Sequence, residues 1–437
     1  MAMLHGTMKK NEKGNLEIGG VDVVNVARDN EFPVYILDEQ YMRENMRSYN
    51  EAFKKYYPNS KVYFASKAML AMAICKIAEL ENFGLDVVSG GELFTALKAD
   101  FPVKDIIMHG NNKSQNEIKM AIENSIGAIV IDNFYEIELI DKLTKELNKS
   151  VDVMLRIKPG VHADTHHYIT TGHEDSKFGF IIKENVAKDA VLDVSKKPLL
   201  NFKGLHMHIG SQIFDTQGYI KSIEIMAEFI KELSNEGVTV DDFDLGGGLG
   251  VRYTDADDPM SINDFVKELS GKVEEEFARH SLKLPRLMVE PGRSIVGEAG
   301  TTVYNLGSIT EVPGVRKYIA INGGMGDNIR PALYGSKYDV VIANKMNIEE
   351  RELVTIAGKC CETGDILRKD VEVPKPESGD VVAVFVTGAY SYTMASNYNR
   401  LPVPGVMLVK DGKQEWIVKP QDYEDIVRND IIPDRFK

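Results

Sequence analysis

Between residues 62 and 147 the sequence repeats one pattern: a short, apolar, β-rich run and then a helical one. The β-rich runs are 62–66, 85–89, 106–109 and 128–132, and the helical ones 69–82, 92–99, 115–124 and 134–147. A spacing of roughly 22 residues is that of repeated βα units. Runs at 151–157, 202–209, 242–245 and 287–289 continue the series at wider intervals, with amphipathic stretches at 219–233 and 262–277 between them. Eight strand runs alternating with helices over roughly 250 residues is the count of a (β/α)8 barrel. An open doubly wound sheet shares the periodicity, so the pattern alone leaves closure open.

The flanks read differently. Residues 1–17 read as a loose start, 21–26 and 33–37 as short strands, and Asp38 as the cap of a helix over 41–56 that Pro58 ends. After about Gly300 strand-like runs follow without long helices, at 303–311, 316–321, 338–342, 353–358, 381–387 and 406–409. Lys410-Asp411-Gly412 is a hairpin-turn signal before 415–418. The expected division is an N-terminal segment, 1–32, giving strands to a mostly β domain, an α/β barrel over 33–300, and the β domain over 301–437.

Composition narrows the partners. A net charge of −14 argues against nucleic acid and anionic membrane surfaces. No apolar run approaches the ~20 residues of a membrane span, and residues 1–16 are too polar for a signal peptide. Three cysteines, Cys75, Cys360 and Cys361, make no disulfide framework. The expectation is a reduced, cytoplasmic protein.

In a barrel, catalytic groups sit at the carboxyl ends of the strands. Those ends read Ser66-Lys67, Asp86 with Ser89, His109-Gly110-Asn111, Asp132-Asn133, Arg156, His208-Ile209-Gly210-Ser211, Gly246-Gly247-Gly248 and Glu290-Pro291-Gly292-Arg293. A lysine partly desolvated there, between Phe64 and Met69, is drawn towards the neutral amine that a carbonyl cofactor needs for a Schiff base. Taken alone, Lys67 is more simply an exposed lysine after a strand. The turn at 246–248 suits close backbone approach to a phosphate, with Gly210 and Ser211 as further donors, or equally a tight turn. Val251 excludes a dinucleotide fingerprint. His206 and His208 are expected to point one inward and one towards the helices; without a third ligand they argue against zinc. His208 is then placed to stack on an aromatic ring. Glu290, against a ring nitrogen, keeps a pyridinium protonated, or else pairs with Arg293.

Together these residues resemble the fold-type III pyridoxal-phosphate decarboxylases. The matching pieces are FASKA (64–68), LDVVSGGEL (85–93), DSKFG (175–179), HIGSQ (208–212), GGGLG (246–250), EPGRS (290–294), IRPALYG (329–335), CETGD (361–365) and GAY (388–390). They run in family order, and PGVHADTHHYITTG (159–172) is similar to the stretch preceding DSKFG in the diaminopimelate branch. The resemblance implies pyridoxal phosphate bound to Lys67, with His208 stacked on its ring and Glu290 at its nitrogen. It places Asp86, Ser211, Gly247, Gly248, Gly292, Arg293 and Tyr390 around the cofactor. Arg293, Arg330 and Tyr334 then hold the distal carboxylate of the substrate and Glu362 its distal amine, with Tyr390 also meeting the substrate. Cys361 is the implied proton donor to the α-carbon, supplied from the other subunit of a homodimer. Thr363 stands where the family often has Ser, and Lys359-Cys360 replaces a commoner Gly-Pro-type approach. Cys361 is preferred to Cys360 because Glu362 follows it directly.

The implied activity is decarboxylation of meso-2,6-diaminopimelate to L-lysine. The rival substrates are ornithine, arginine and carboxynorspermidine on the same scaffold. A racemase is disfavoured by Glu290, since a cation is expected opposite the ring nitrogen there. A catalytically silent binding protein remains the reading from another class, against which Lys67 and Cys361 speak.

Overall fold

The computed structural model describes residues 3–161 and 176–437. They form two compact units: Arg43–Val251 with Asp258–Ile295, and Met1–Met42 with Arg252–Asp257 and Val296–Lys437.

The first unit is a closed parallel barrel. Its strands are Ser60–Ala65, Gly84–Val87, Ile106–Met108, Ala128–Ile131, Val151–Lys158, Leu200–His206, Asp242–Asp244 and Arg286–Val289. Closure is set by the last strand pairing with the first, Leu287 with Ser60 and Val289 with Val62. The doubly wound alternative is thereby excluded. Strands such as Ala128–Ile131 are buried at every position, because a parallel sheet covered by helices meets no water on either face. One interior layer comprises Tyr63, Ile107, Ala128, Val130, Met154 and Met288. Phe64, fully buried in the same strand as Tyr63, is a position where truncation to Ala costs about 3–5 kcal/mol.

Local capping chemistry fixes where the helices begin. Ser89, Ser114, Asn133 and Ser261 each accept a hydrogen bond from the backbone of Glu92, Glu117, Glu136 and Asp264 respectively. A short polar side chain just before the helix satisfies one otherwise orphaned N–H, and the acidic residue suits the positive end of the helix dipole. The helix Val186–Ser195 was not anticipated. After the first strand there is a single 3-10 turn, Ser66–Ala68, and the helix starts only at Met72. Lys67 therefore lies on a turn, not at the entrance of a helix.

The second unit is built on the 13-residue strand Gly300–Val312. Its first half is flanked by Val34–Asp38 and Val381–Phe385, its second half by Arg316–Ile321. Arg351–Ala357 and Ile366–Pro374 extend one edge, and Gly405–Lys410 and Lys413–Val418 the other. The barrel unit begins at Arg43, not at 33, and ends at Ile295, near the expected 300. Val34–Asp38 is buried throughout and pairs parallel with Gly405–Lys410, so it is a central strand of this sheet rather than part of the barrel. Residues 21–26 are not one strand: Asp22 caps a helix, Val23–Arg28. Nor is the start loose, since Lys9–Lys10, Leu16–Ile18 and Val21–Asp22 form a three-stranded sheet. Asp38 caps as expected, its Oδ1 accepting from the Tyr41 N–H at 3.1 Å.

Candidate active site

Three strand ends meet at one carboxylate in the barrel. Glu290 follows the last strand and is 4% exposed; His109 follows the third, and His206 ends the sixth. His109 Nε2 lies 2.5 Å from Glu290 Oε1, and His206 Nε2 lies 3.3 Å from Oε2. The imidazoles meet edge to face, 4.6 Å between centroids. Burial by itself pushes the Glu290 carboxyl up, but His109 and His206 outweigh it and hold the group well below the usual carboxylate range. Burial pushes the His206 imidazole down to about 3, although Glu290 opposes this. A neutral His206 with its proton on Nε2 donates to Glu290, and this bond selects the tautomer. His206 shares a hydrogen bond with Glu290, whereas His109 Nε2 and Glu290 Oε1 are in close contact without hydrogen-bond geometry.

Lys67 Nζ sits 3.4 Å from Asp86 Oδ2. The lysine side chain is 40% exposed and Asp86 is fully buried, so the amine faces a carboxylate instead of the apolar surroundings expected of it. Burial pushes the Asp86 carboxyl up, against the pull of Lys67 and His109. The expectation that His206 and His208 face opposite ways is corrected. Residues two apart share one side of a strand, and His208 feels the charges of Lys67, Arg156 and Glu290 while burial drives its imidazole well below the ordinary value.

The glycine turn is tight for reasons within the chain. A Cβ on Gly247 would stand 2.2 Å from the Glu290 carbonyl oxygen, and one on Gly248 2.4 Å from that of Gly210. Gly248 also has φ of +130°, and Tyr219 donates its hydroxyl to the Gly247 carbonyl at 2.7 Å. Arg293 opens the helix Arg293–Val296, and its Nη2 donates to Ser211 Oγ at 3.1 Å. On Gly292 a Cβ would reach 2.9 Å from that of Ala68, which packs the end of the last strand against the turn carrying Lys67.

The β unit holds a second group. Arg330, buried at the start of Arg330–Tyr334, donates Nε to the Tyr338 hydroxyl at 2.9 Å. Its guanidinium carbon lies 5.1 Å from the Tyr334 ring centre and 5.7 Å from that of Tyr390. Cys361 is exposed, and its N–H donates to Asn399 Oδ1 at 2.7 Å; Glu362 beside it is exposed too. Cys360 is buried, and burial pushes its thiol up to about 11. Residues 162–172 and Asp175, part of the stretches quoted above, lie outside the described residues.

Sequence reading gave His109 and His206 no site role, and Arg156, whose guanidinium carbon stacks 4.4 Å over the Phe178 ring, only that of a local anion site. The available signal was position: all three stand at strand ends beside residues that were chosen.

A model of the pyridoxal-binding domain of pyridoxal-dependent decarboxylases matches residues 42–297. The chain is 48% identical over 429 residues to the diaminopimelate decarboxylase of Bacillus subtilis, covering 98% of each chain. With the Bacillus methanolicus enzyme of that name it shares 48% over 419 residues, 95% of this chain and 96% of the other. The chain belongs to the diaminopimelate decarboxylases. A solved diaminopimelate decarboxylase from M. jannaschii, in co-complex with L-lysine, superposes with a TM-score of 0.92 at 34% identity, covering 99% of this chain and all of that one. Pyridoxal phosphate is the cofactor of this family, and the barrel end of this chain fits it. There is a primary amine for the aldehyde at Lys67, a buried ionised carboxylate for a protonated ring nitrogen at Glu290, and a backbone turn bare of side chains for the phosphate.

Proposed function

We propose that this protein decarboxylates meso-2,6-diaminopimelate to L-lysine and carbon dioxide. The observation that carries the substrate assignment is Arg330. It is a buried guanidinium that, among the described residues, bonds a tyrosine hydroxyl and forms no ion pair with a carboxylate. Burying such a charge costs several kcal/mol unless an anion joins it. The distal carboxylate of diaminopimelate is such an anion, and ornithine and arginine have none.

Pyridoxal phosphate supplies an aldehyde that condenses with amines and a ring that takes up the electron pair left as carbon dioxide departs. Lys67 would hold the cofactor through its amine. Glu290, kept ionised by His109 and His206, holds the proton at the ring nitrogen. His208 covers the ring face, and Asp86 fixes the Lys67 amine. Ser211, Gly247, Gly248, Gly292, Arg293 and Tyr390 hold the phosphate and its approach. Arg293, Arg330, Tyr334 and Tyr390 orient the substrate, and Glu362 takes its distal ammonium. The Cys361 thiol delivers the proton to the α-carbon as general acid; its exposure and the burial of Cys360 favour this choice.

We further infer a homodimer in which Cys361 and Glu362 of one subunit serve the barrel of the other. A cytoplasmic setting agrees with three free cysteines; among the described residues no helix is long and apolar enough to cross a membrane. Carbon dioxide release from diaminopimelate, ornithine, arginine and carboxynorspermidine tests the assignment. Turnover of diaminopimelate alone is expected, and turnover of ornithine without diaminopimelate would overturn it.

A further inference from the structure

We propose that Asp365 is a positioning residue for the proton donor: its buried carboxylate ties the loop bearing Cys361 to the turn that leads into Arg330. The inference rests on the role of Cys361 proposed above. Asp365 Oδ2 accepts from the Cys360 N–H at 2.8 Å, and Oδ1 accepts from the Met325 N–H at 2.7 Å. One side chain, 3% exposed, thus engages the residue before Cys361 and a residue five positions before Arg330. Around it the backbone closes without slack. The Gly358 N–H donates to the Asp365 carbonyl at 2.9 Å, the Lys359 N–H to the Gly323 carbonyl at 2.8 Å, and the Asp365 N–H to that of Glu362 at 3.1 Å. A Cβ on Gly358 or Gly324 would come within 2.1 or 2.3 Å of Asp365 Oδ2. The same turn is fixed from its far side, where the Gly324 N–H donates to Asp327 Oδ2 at 2.9 Å.

Two acceptors on one rigid group are what the arrangement requires. Both bonds go from backbone N–H groups to an anion, and such charge-assisted bonds are strong and directional. An asparagine offers one oxygen and sets an NH2 group against the other N–H. A thiol that must meet the α-carbon gains from being held near its reacting geometry, and misplacement by ~1 Å costs about a hundredfold in rate. Within its own chain Cys361 is exposed, so there its backbone does the positioning.

The test uses full-length enzyme loaded with pyridoxal phosphate. Asp365→Asn is compared with wild type for kcat and KM on diaminopimelate, for visible absorbance, and for the rate of iodoacetamide labelling at Cys361 read by peptide mass spectrometry. Expected are a fall in kcat of at least about tenfold with KM changed by less than about threefold, unchanged absorbance, and a labelling rate at Cys361 shifted by about threefold or more. Wild-type kcat and labelling would overturn the proposal, as would a lower kcat with labelling unmoved. Should Asp365→Asn lose its folded circular dichroism, Gly358→Ala, which pushes on the same carboxylate, is judged by the same readouts. Cys361→Ala separates the two claims. If it retains full activity, the proton-donor assignment fails, while the labelling shift still decides whether Asp365 holds the loop.

Discussion

His109 approaches Glu290 to 2.5 Å inside the barrel, and both side chains are buried. A carboxylate in such a place is costly unless its charge is met, and here Oε2 shares a hydrogen bond with His206 while Oε1 lies against the His109 ring. The arrangement sets the charge on Glu290 before any ligand arrives.

Replacing His109 removes one of the two influences that oppose burial at Glu290. His109→Phe should raise the Glu290 carboxyl towards or above its ordinary range, so that it protonates as the pH falls towards neutrality. The expected outcome is a drop in kcat of about 10- to 100-fold near pH 7, with the acid limb of the pH–rate profile moved to higher pH. Pyridoxal phosphate should still bind, as read by its absorbance. A profile superposable on that of wild type would show that His109 does not set the state of Glu290.

A second titration bears on stability. Burial pushes the Glu92 carboxyl up from 4.5 to about 7, so the folded chain keeps a proton that the unfolded chain releases. Stability from this group is complete below about 4.5 and is lost as the pH rises through about 7. Glu92→Gln removes that slope and keeps an oxygen to accept from the Val88 N–H, now bonded at 2.7 Å. The variant should gain about 1–2 kcal/mol at pH 8 and little or nothing at pH 4.5. Urea denaturation at both pH values measures the difference, and an equal effect at the two would refute it.

Legibility in the sequence followed how local the cause was. The barrel strands and the helices capped by Ser89, Ser114 and Asn133 were readable because period and cap chemistry lie within a few residues of each other. Strand Val34–Asp38 was misplaced because its partners, Gly300–Val312 and Gly405–Lys410, lie hundreds of residues away. Strand Ile366–Pro374 was missed because Arg368-Lys369-Asp370 breaks the alternation, and Asp370 takes φ of +52° beside a register shift. Lys67, Asp86 and the glycine turn could be placed at strand ends from type and position. The partnership of Glu290 with His109 and His206 could not, since only barrel closure brings the third, sixth and eighth strand ends together.

Arg330 makes the substrate assignment testable without structure. Removing a buried guanidinium that meets a carboxylate forfeits a charge-assisted pair of about 2–4 kcal/mol. Arg330→Leu should therefore lower kcat/KM for diaminopimelate by about 30- to 900-fold, mostly through KM, because the contact is made equally in ground and transition states. Stacking on Tyr334 and Tyr390 needs the planar group, so Arg330→Lys should recover only part of the loss. Full activity in Arg330→Leu would remove the distal carboxylate from the recognition scheme.

The sharing of the site between subunits can be tested by complementation. Lys67→Ala should abolish both the visible absorbance of bound cofactor and activity, and Cys361→Ala should abolish activity with absorbance retained. If Cys361 is supplied in trans, mixing the two inactive proteins under conditions that exchange subunits regenerates activity. In a statistical mixture about half of the dimers are heterodimers, each with one intact and one doubly damaged site, so about a quarter of wild-type activity is the ceiling. The motive is chain separation: Cys361 and Glu362 belong to the unit built on Gly300–Val312, whereas Lys67 and Glu290 belong to the barrel. Separation alone does not require two chains, because a domain can serve its own barrel. Recovery requires that the lysine come from one polypeptide and the thiol from another, since neither variant holds both. Mass spectrometry of differently tagged subunits verifies exchange. Exchange without recovery would place Cys361 in the same chain as the Lys67 it serves, and dimerisation would no longer be needed for the chemistry.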